Sequence, residues 1–386
     1  MKAPRSKLPD VGTTIFTVIS RRAEELGAVN LGQGFPDYPI DPLLTELVSE
    51  AMRAGFNQYA PMAGVPALQE AIATDAGARH ARVIDPQREV TITLGATEAI
   101  FSAIQALVGP GDEVIVFDPA YDSYDPAVRL AGATCVHVPL LPPAFRYDWE
   151  RIRSAITPRT RMLVINSPHN PACTVMSRDD LRQLAVLAQQ HDLLVLSDEV
   201  YEHLVYDGIT HASVLSEPGL RDRSLAVYSF GKALHATGLR VGYCIAPAPL
   251  TIELRRVHQF NTFTIATPLQ HAIAAFLRAR PDAYAGLPGF FAAKRALLTQ
   301  GLAGSALRVL PSQGSYFTLV DYSGSRALGA LDDVEAARQL LEQGWVAAIP
   351  LTPFYREPVK HRLLRLCFAK QDATLQKAIG RLQALE

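Results

Sequence analysis

The sequence predicts an α/β fold: a large domain with a mostly parallel central sheet covered by helices, joined to a smaller α+β domain made from the two ends of the chain. Three observations lead there. In the middle of the 386 residues, short apolar runs alternate with amphipathic ones, which is the signature of strand and helix in turn. The apolar runs are nearly unbroken, as in strands buried on both faces. Hydrophobic residues make up 48% of the chain and charged residues 19%, which permits a large core and disfavours disorder.

The elements follow in order. The first forty residues hold one short helix and are otherwise irregular and rich in Gly and Pro. Strands are expected at Val90–Leu94, Glu113–Phe117, Met162–Asn166, Leu193–Ser197, Leu225–Ser229 and Gly242–Ala246. Ile100, Ala103, Ile104, Leu107 and Val108 recur at helical spacing, and Gly109-Pro110-Gly111 stops that helix. A second helix runs from about Arg178 to His191, with Ser177 as N-cap and Asp180 three residues on. From about Phe276 the pattern changes to helix, strand (Leu307–Val320), helix (Asp332–Gln343), strand (Arg362–Phe368) and helix (Ala373–Leu385). The expected division is residues 1–40 as a segment packed on the small domain, 41–275 as the large domain, and 276–386 as the small one.

Composition excludes several function classes. Lys+Arg number 37 and Asp+Glu 38, a net charge of −1, so no global basic field exists for nucleic acid or an anionic membrane. No apolar stretch approaches the roughly 18 residues of a membrane span. Pro4, Pro9 and Asp10 interrupt the basic start before an apolar core forms, so no secretory leader is expected. Cys135, Cys173, Cys244 and Cys367 are widely spaced with no Cys-x-x-Cys, as expected of reduced thiols in a cytoplasmic protein.

Ligands of open α/β sheets sit at the carboxyl ends of strands, and several such ends carry chemistry. Gly95-Ala96-Thr97 joins a strand to the clear helix, where small residues let a phosphate approach free amides; an ordinary tight turn would look the same. Pro119-Ala120-Tyr121 follows the second strand. Asp198 ends an apolar run, with Tyr201 just beyond, and a carboxylate there needs a metal, an arginine, a protonated heterocycle or solvent. Lys232 lies just past Ser229, and a lysine facing a dry cleft becomes a nucleophile for carbonyls. Arg240 follows as a possible phosphate clamp. Arg362 and Arg365 fall on opposite faces if their segment is a strand, so one alone can face a cleft. Asn170 sits in a Pro-flanked turn, and His169 and His235 read as structural.

Together these segments resemble pyridoxal-phosphate enzymes of the aspartate-aminotransferase fold (class I/II, fold type I). The resemblance spans nearly the whole chain. It is carried by Asn30-Leu-Gly-Gln-Gly-Phe-Pro-Asp37, Gln58-Tyr-Ala-Pro61 with Gly64, Gly95-Ala-Thr-Glu-Ala99, Ser167-Pro-His-Asn-Pro171, Ser197-Asp-Glu-Val-Tyr201, Ser229-Phe-Gly-Lys232 and Gly238-Leu-Arg-Val-Gly-Tyr243. Lys232 follows Asp198 at the family's spacing. The branch it is most similar to holds methionine aminotransferase, kynurenine aminotransferase and glutamine transaminase K. After Asn170-Pro171 the usual Thr-Gly is replaced by Ala172-Cys173.

The resemblance implies the roles. Lys232 would form a Schiff base with pyridoxal 5'-phosphate and carry the proton at the substrate's Cα. Asp198 would keep the pyridine nitrogen protonated. Tyr201 and Asn170 would hydrogen-bond the ring's phenolic oxygen, and Tyr121 would stack on the ring. Gly95, Ala96, Thr97, Ser229 and Arg240 would hold the phosphate, joined by Tyr59 from the neighbouring subunit of a homodimer. Arg365, with Gly34 and Asn170, would clamp the α-carboxylate, and Phe16 falls near where some relatives place an aromatic over the substrate. The expected reaction is ping-pong transfer of an amino group from an L-amino acid of methionine, aromatic, glutamine or kynurenine type to a 2-oxo acid, with no metal. A β-lyase acting on cysteine conjugates or cystathionine fits the same residues. A pyridoxal-phosphate-binding regulator is a remoter reading, because the motifs begin by Asn30 and leave no room for a preceding DNA-binding domain. A nicotinamide dehydrogenase fits poorly, since Gly32-Gln33-Gly34 lacks the helix and third glycine of that fingerprint.

Overall fold

The computed structural model describes residues 5–357 and 359–384. Pro4 and Leu385 lie outside them. Strand β1 (Val29–Asn30) belongs to the N-terminal segment. The central sheet is built from β2 (Val90–Thr93), β3 (Glu113–Asp118), β4 (Thr134–Pro139), β5 (Thr160–Asn166), β6 (Leu194–Asp198), β7 (Ser224–Ser229) and β8 (Gly242–Ile245). Their order is β2-β8-β7-β6-β5-β3-β4. Neighbours among β3 to β7 pair in parallel, and β8 runs antiparallel to both β2 and β7. This is the mostly parallel sheet that the continuous apolar runs predicted.

Alternation along the strands divides the core into two layers. Val114, Val116, Met162, Val164, Leu196, Leu225 and Val227 face one side, beneath the helix Gly95–Leu107. Ile115, Phe117, Leu163, Ile165, Val195, Ala226 and Tyr228 face the other. Burial on both faces is what a sheet covered by crossover helices requires.

The six expected central strands all form, within a residue or two of the expected bounds. Strand β4 was not foreseen. It is the edge strand, its face only partly covered, and Thr-Cys-Val-His-Val-Pro breaks the apolar run that marked the others. Ser177 and Asp180 make the reciprocal capping box at the helix Arg178–Gln190.

The C-terminal part holds β9 (Arg308–Val309), β10 (Phe317–Asp321), β11 (Val346–Ala347), β12 (Ile349–Pro350) and β13 (Leu363–Cys367). A four-stranded antiparallel sheet has the order β12-β13-β10-β9. The single strand expected over Leu307–Val320 is therefore two strands of a hairpin. Pro311 cannot donate to a ladder, and Ser315 turns the chain at a φ of 66°. Strand β1 pairs in parallel with β11, and the helix Ile15–Leu26 lies against β11 as well. The position between residues 275 and 276 falls inside the continuous helix Thr267–Ala279.

Candidate active site

The carboxyl ends of β2, β5, β6 and β7 open on one cavity of about 340 Å³, closed on its other side by Gln33, Gly34, Phe317 and Arg365. Of the predicted residues, Gly34, Ala96, Thr97, Tyr121, Asn170, Asp198, Tyr201, Ser229, Lys232, Arg240 and Arg365 all line it.

Asp198 ends β6 and is 4% exposed. Its Oδ2 accepts from the Tyr124 hydroxyl at 2.7 Å, and its Oδ1 from the Val200 amide at 3.3 Å. Among the described residues it makes no ion pair. Burial raises its carboxyl to about 6, although the Tyr124 hydrogen bond works the other way. The next residue, Glu199, turns to the opposite side and is satisfied by Ser197, His211, Tyr228 and the Val214 amide. The two adjacent acids thus have different environments, and only Asp198 faces the cavity.

Lys232 sits in the single turn Phe230–Ala233 that follows β7. Its Nζ donates to the Tyr316 hydroxyl at 3.0 Å and the Gly34 carbonyl at 3.4 Å, and lies 5.6 Å from the ring centres of Tyr201 and Tyr316. Burial pushes its ammonium down to about 8. A substantial neutral fraction is then available near physiological pH, as a nucleophilic amine requires.

Arg365 lies on β13 and is 1% exposed, whereas Arg362, just before the strand, is exposed. The strand alternation thus separates the two arginines as expected. Arg365 Nη1 donates to Asn170 Oδ1 at 2.6 Å and Nη2 to the Gly32 carbonyl at 2.7 Å. Its Cζ lies 4.0 Å from the ring centre of Phe317. Its Nε is buried with no partner, and no acid among the described residues pairs with it. A buried guanidinium held only by neutral groups is costly unless an anion completes it. Asn170 is fixed in turn, its amide donating to Asn166 Oδ1 at 2.7 Å, while Asn166 Nδ2 donates to the Asp198 carbonyl at 2.9 Å.

At the start of the helix Gly95–Leu107, Gly95 has a φ of 71°, and a Cβ there would stand 2.6 Å from Arg240 Nη2. A side chain would fill the space between the helix amides and the guanidinium. Arg240 holds a φ of 54°, a left-handed conformation costing a non-glycine residue roughly 1–2 kcal/mol. It makes no ion pair among the described residues, and only Nη1 is engaged, by the Thr237 carbonyl at 3.1 Å. Helix amides, a hydroxyl at Ser229 and an uncommitted guanidinium form a cradle suited to a phosphate.

Tyr59 stands apart. It is 83% exposed, packs edge-on to Phe263 at 5.3 Å and does not line the cavity. His169 and His235 are structural in their surroundings: His169 is buried, pressed to about 4 by burial, and accepts from the Ala172 amide, and His235 lies among Tyr38, Phe290 and Phe291. Sequence reasoning did not single out Tyr124, Tyr316, Asn166 or Asp122. Tyr124 could be found three residues past Tyr121, in the turn leading from β3. Asn166 could be found as the polar residue that ends an expected strand, whereas Tyr316 carries no local signal. Phe16 and Thr14, from the N-terminal segment, also reach the cavity.

The buried acid, amine and guanidinium with the phosphate cradle fit pyridoxal phosphate and an α-amino acid carboxylate. The comparisons agree. The family model for aminotransferase class I and II matches residues 27–382. Methionine aminotransferase of Escherichia coli is 49% identical over 382 residues, covering 99% of this chain and 98% of the relative. Kynurenine–oxoglutarate transaminase 1 of Mus musculus is 38% identical, covering 97% and 96%. A solved Escherichia coli structure, reported as a methionine aminotransferase, is 48% identical with a TM-score of 0.97 over 100% of both chains. The chain belongs to the class I and II aminotransferases: it is an enzyme that uses pyridoxal phosphate to exchange amino groups between amino acids and 2-oxo acids. These relatives do not favour the β-lyase reading. No helix among the described residues is long and apolar enough to cross a membrane.

Proposed function

We propose that the enzyme's amino donor is an L-amino acid with a methionine-like or aromatic side chain, and that Lys232 is its catalytic amine. What carries this is one observation: Lys232, Asp198 and Arg365 all line the same cavity, Asp198 and Arg365 buried and Lys232 half-buried, and none forms an ion pair among the described residues. Asp198 and Lys232 offset each other only in part, and the buried guanidinium of Arg365 has no acid paired with it, so a ligand that brings a cation to Asp198 and an anion to Arg365 completes the site.

Pyridoxal phosphate supplies, when bound, an electrophilic aldehyde and a ring that accepts electrons from the substrate's Cα. Lys232 Nζ would be the amine that holds the cofactor through its aldehyde group, and it would carry the proton at the substrate's Cα. Asp198, oriented by Tyr124, holds a proton on the ring nitrogen. Tyr201 and Asn170 would hydrogen-bond the phenolic oxygen, and Tyr121 would stack on the ring. The amides of Gly95, Ala96 and Thr97, with Ser229 and Arg240, hold the phosphate. Arg365 binds the substrate's α-carboxylate with Asn170 and the Gly34 backbone.

The charge of the cavity supports the substrate class. Among the described residues its only cationic side chains are Lys232, Arg240 and Arg365. Each has a role above, so no cation remains for a distal carboxylate. Phe16, Ile100, Val200 and Phe317 provide apolar wall, and the relatives named for methionine and kynurenine point the same way. Supplying a panel of amino donors with one fixed 2-oxo acid tests this. Methionine and aromatic donors should lead; fastest turnover with aspartate or glutamate would overturn it.

The enzyme is further proposed to be a cytoplasmic homodimer in which Tyr59 reaches the partner's phosphate cradle. Exposed Tyr59, Phe263 and Phe260 (87% exposed) form an aromatic surface for that contact. The large and small domains are proposed to meet near the segment after the helix Thr267–Ala279.

A further inference from the structure

Away from the cavity, on the helix-covered face of the edge strand β4, the geometry points to a Zn²⁺-class metal site formed by Asp125, Cys135 and His137. Cys135 and His137 are two positions apart on β4 and so share a face. Asp125 comes from the first turn of the helix Tyr124–Leu130, which packs on that strand. One ligand atom from each of the three lies within 4.8 Å of the others. His137 Nε2 and Asp125 Oδ1 are 3.5 Å apart. That is long for a hydrogen bond, but two ligands each about 2.1 Å from a tetrahedral metal stand about 3.4 Å apart.

The surroundings are those of a metal-binding histidine. His137 Nδ1 lies 2.8 Å from Asp118 Oδ1, and Asp118 Oδ2 accepts from the Arg356 amide at 2.8 Å. A carboxylate on Nδ1 fixes the ring and leaves Nε2 for the metal, as in carboxylate–histidine–zinc arrangements. Arg129 takes Asp125 Oδ2 at 3.2 Å, leaving Oδ1 free to ligate. His137 is 13% exposed and Asp125 23%, so an ion can enter from solvent. Cys135 is the only cysteine of the four that is not buried. Thiol, imidazole and carboxylate with a fourth position open select a borderline ion such as Zn²⁺ over Mg²⁺ or Ca²⁺. Binding would release the Cys135 thiol proton to solvent and tie the helix Tyr124–Leu130 to β4. Tyr124, which orients Asp198, is the first residue of that helix.

The test is a Co²⁺ titration of the chelator-dialysed holoenzyme, followed by Zn²⁺. The expected result is one Co²⁺ per chain, visible bands of four-coordinate cobalt at longer wavelength than the cofactor's absorption, and their loss on adding one equivalent of Zn²⁺. Cys135→Ser should keep its transaminase turnover and lose the thiolate-to-cobalt band; His137→Gln should weaken Co²⁺ binding at least about tenfold. Absence of four-coordinate bands in the wild-type enzyme, or bands unchanged in both variants, would overturn the site and leave His137 as an ion-paired residue between Asp118 and Asp125.

Discussion

The Tyr124 hydroxyl donates to Asp198 Oδ2 at 2.7 Å, and both side chains are buried. The bond fixes which way the carboxylate points, and it keeps one oxygen occupied while the other stays near the cavity. A neutral donor cannot neutralise the buried charge, so the carboxyl remains at about 6 and its full stabilisation awaits a cation.

Replacing Tyr124 by Phe removes that bond and leaves the ring packing. A hydrogen bond to a charged group contributes about 1.5–3 kcal/mol, so the cofactor dissociation constant should rise roughly 10- to 100-fold. Spectral titration of the apoenzyme with pyridoxal phosphate measures it. Wild-type affinity would show that Tyr124 does not orient Asp198.

Asp198→Asn should trade activity for stability. The folded carboxyl titrates at about 6 against an ordinary value of 3.8, so its contribution to stability is full below pH 3.8 and lost as pH rises through 6. At pH 7 the apoenzyme carries the whole penalty, about 3 kcal/mol at most. The Asn variant should therefore resist denaturant better than wild type as apoenzyme at pH 7, and the advantage should shrink toward pH 4. Equal midpoints at pH 7 would contradict an unpaired carboxylate.

Arg365→Lys keeps the charge and loses the planar fork. Lysine cannot replace the contacts to both Asn170 and Gly32 while also binding a carboxylate. KM for the amino acid should rise roughly 100-fold with the cofactor's absorption unchanged. A KM within a factor of two of wild type would remove Arg365 from substrate binding.

Asp122 lines the cavity, and burial holds its carboxyl above the usual range while Arg365 pulls it down. A second acid facing the substrate disfavours an anionic side chain. Asp122→Asn should raise kcat/KM for glutamate relative to methionine several-fold. An unchanged ratio in a two-donor competition assay would show that selectivity lies elsewhere.

Much of this was legible in the residues. Asp198, Lys232, Asn170 and Arg365 stand at strand ends or on a short strand, in motifs whose order reveals the family, and the structure brings them to one cavity. Arg365 could be separated from Arg362 by strand alternation alone. Other parts carry no local signal. Strand β4 is an edge strand whose half-exposed face mixes polar and apolar residues, so its period is blurred. The β9–β10 turn falls at Pro311-Ser-Gln-Gly-Ser315, a turn signal within the stretch expected as a single strand. Tyr124 and Tyr316 acquire their roles only through contacts across 74 and 84 positions of sequence, which no window of periodicity can register.

The covalent partner of the cofactor is the most direct test. Borohydride reduction of the purified holoenzyme, followed by peptide mapping, should place the reduced pyridoxyl group on a single peptide at Lys232, with none in Lys232→Ala. A label on another lysine, or a holoenzyme that yields no label at all, would contradict Lys232 as the catalytic amine.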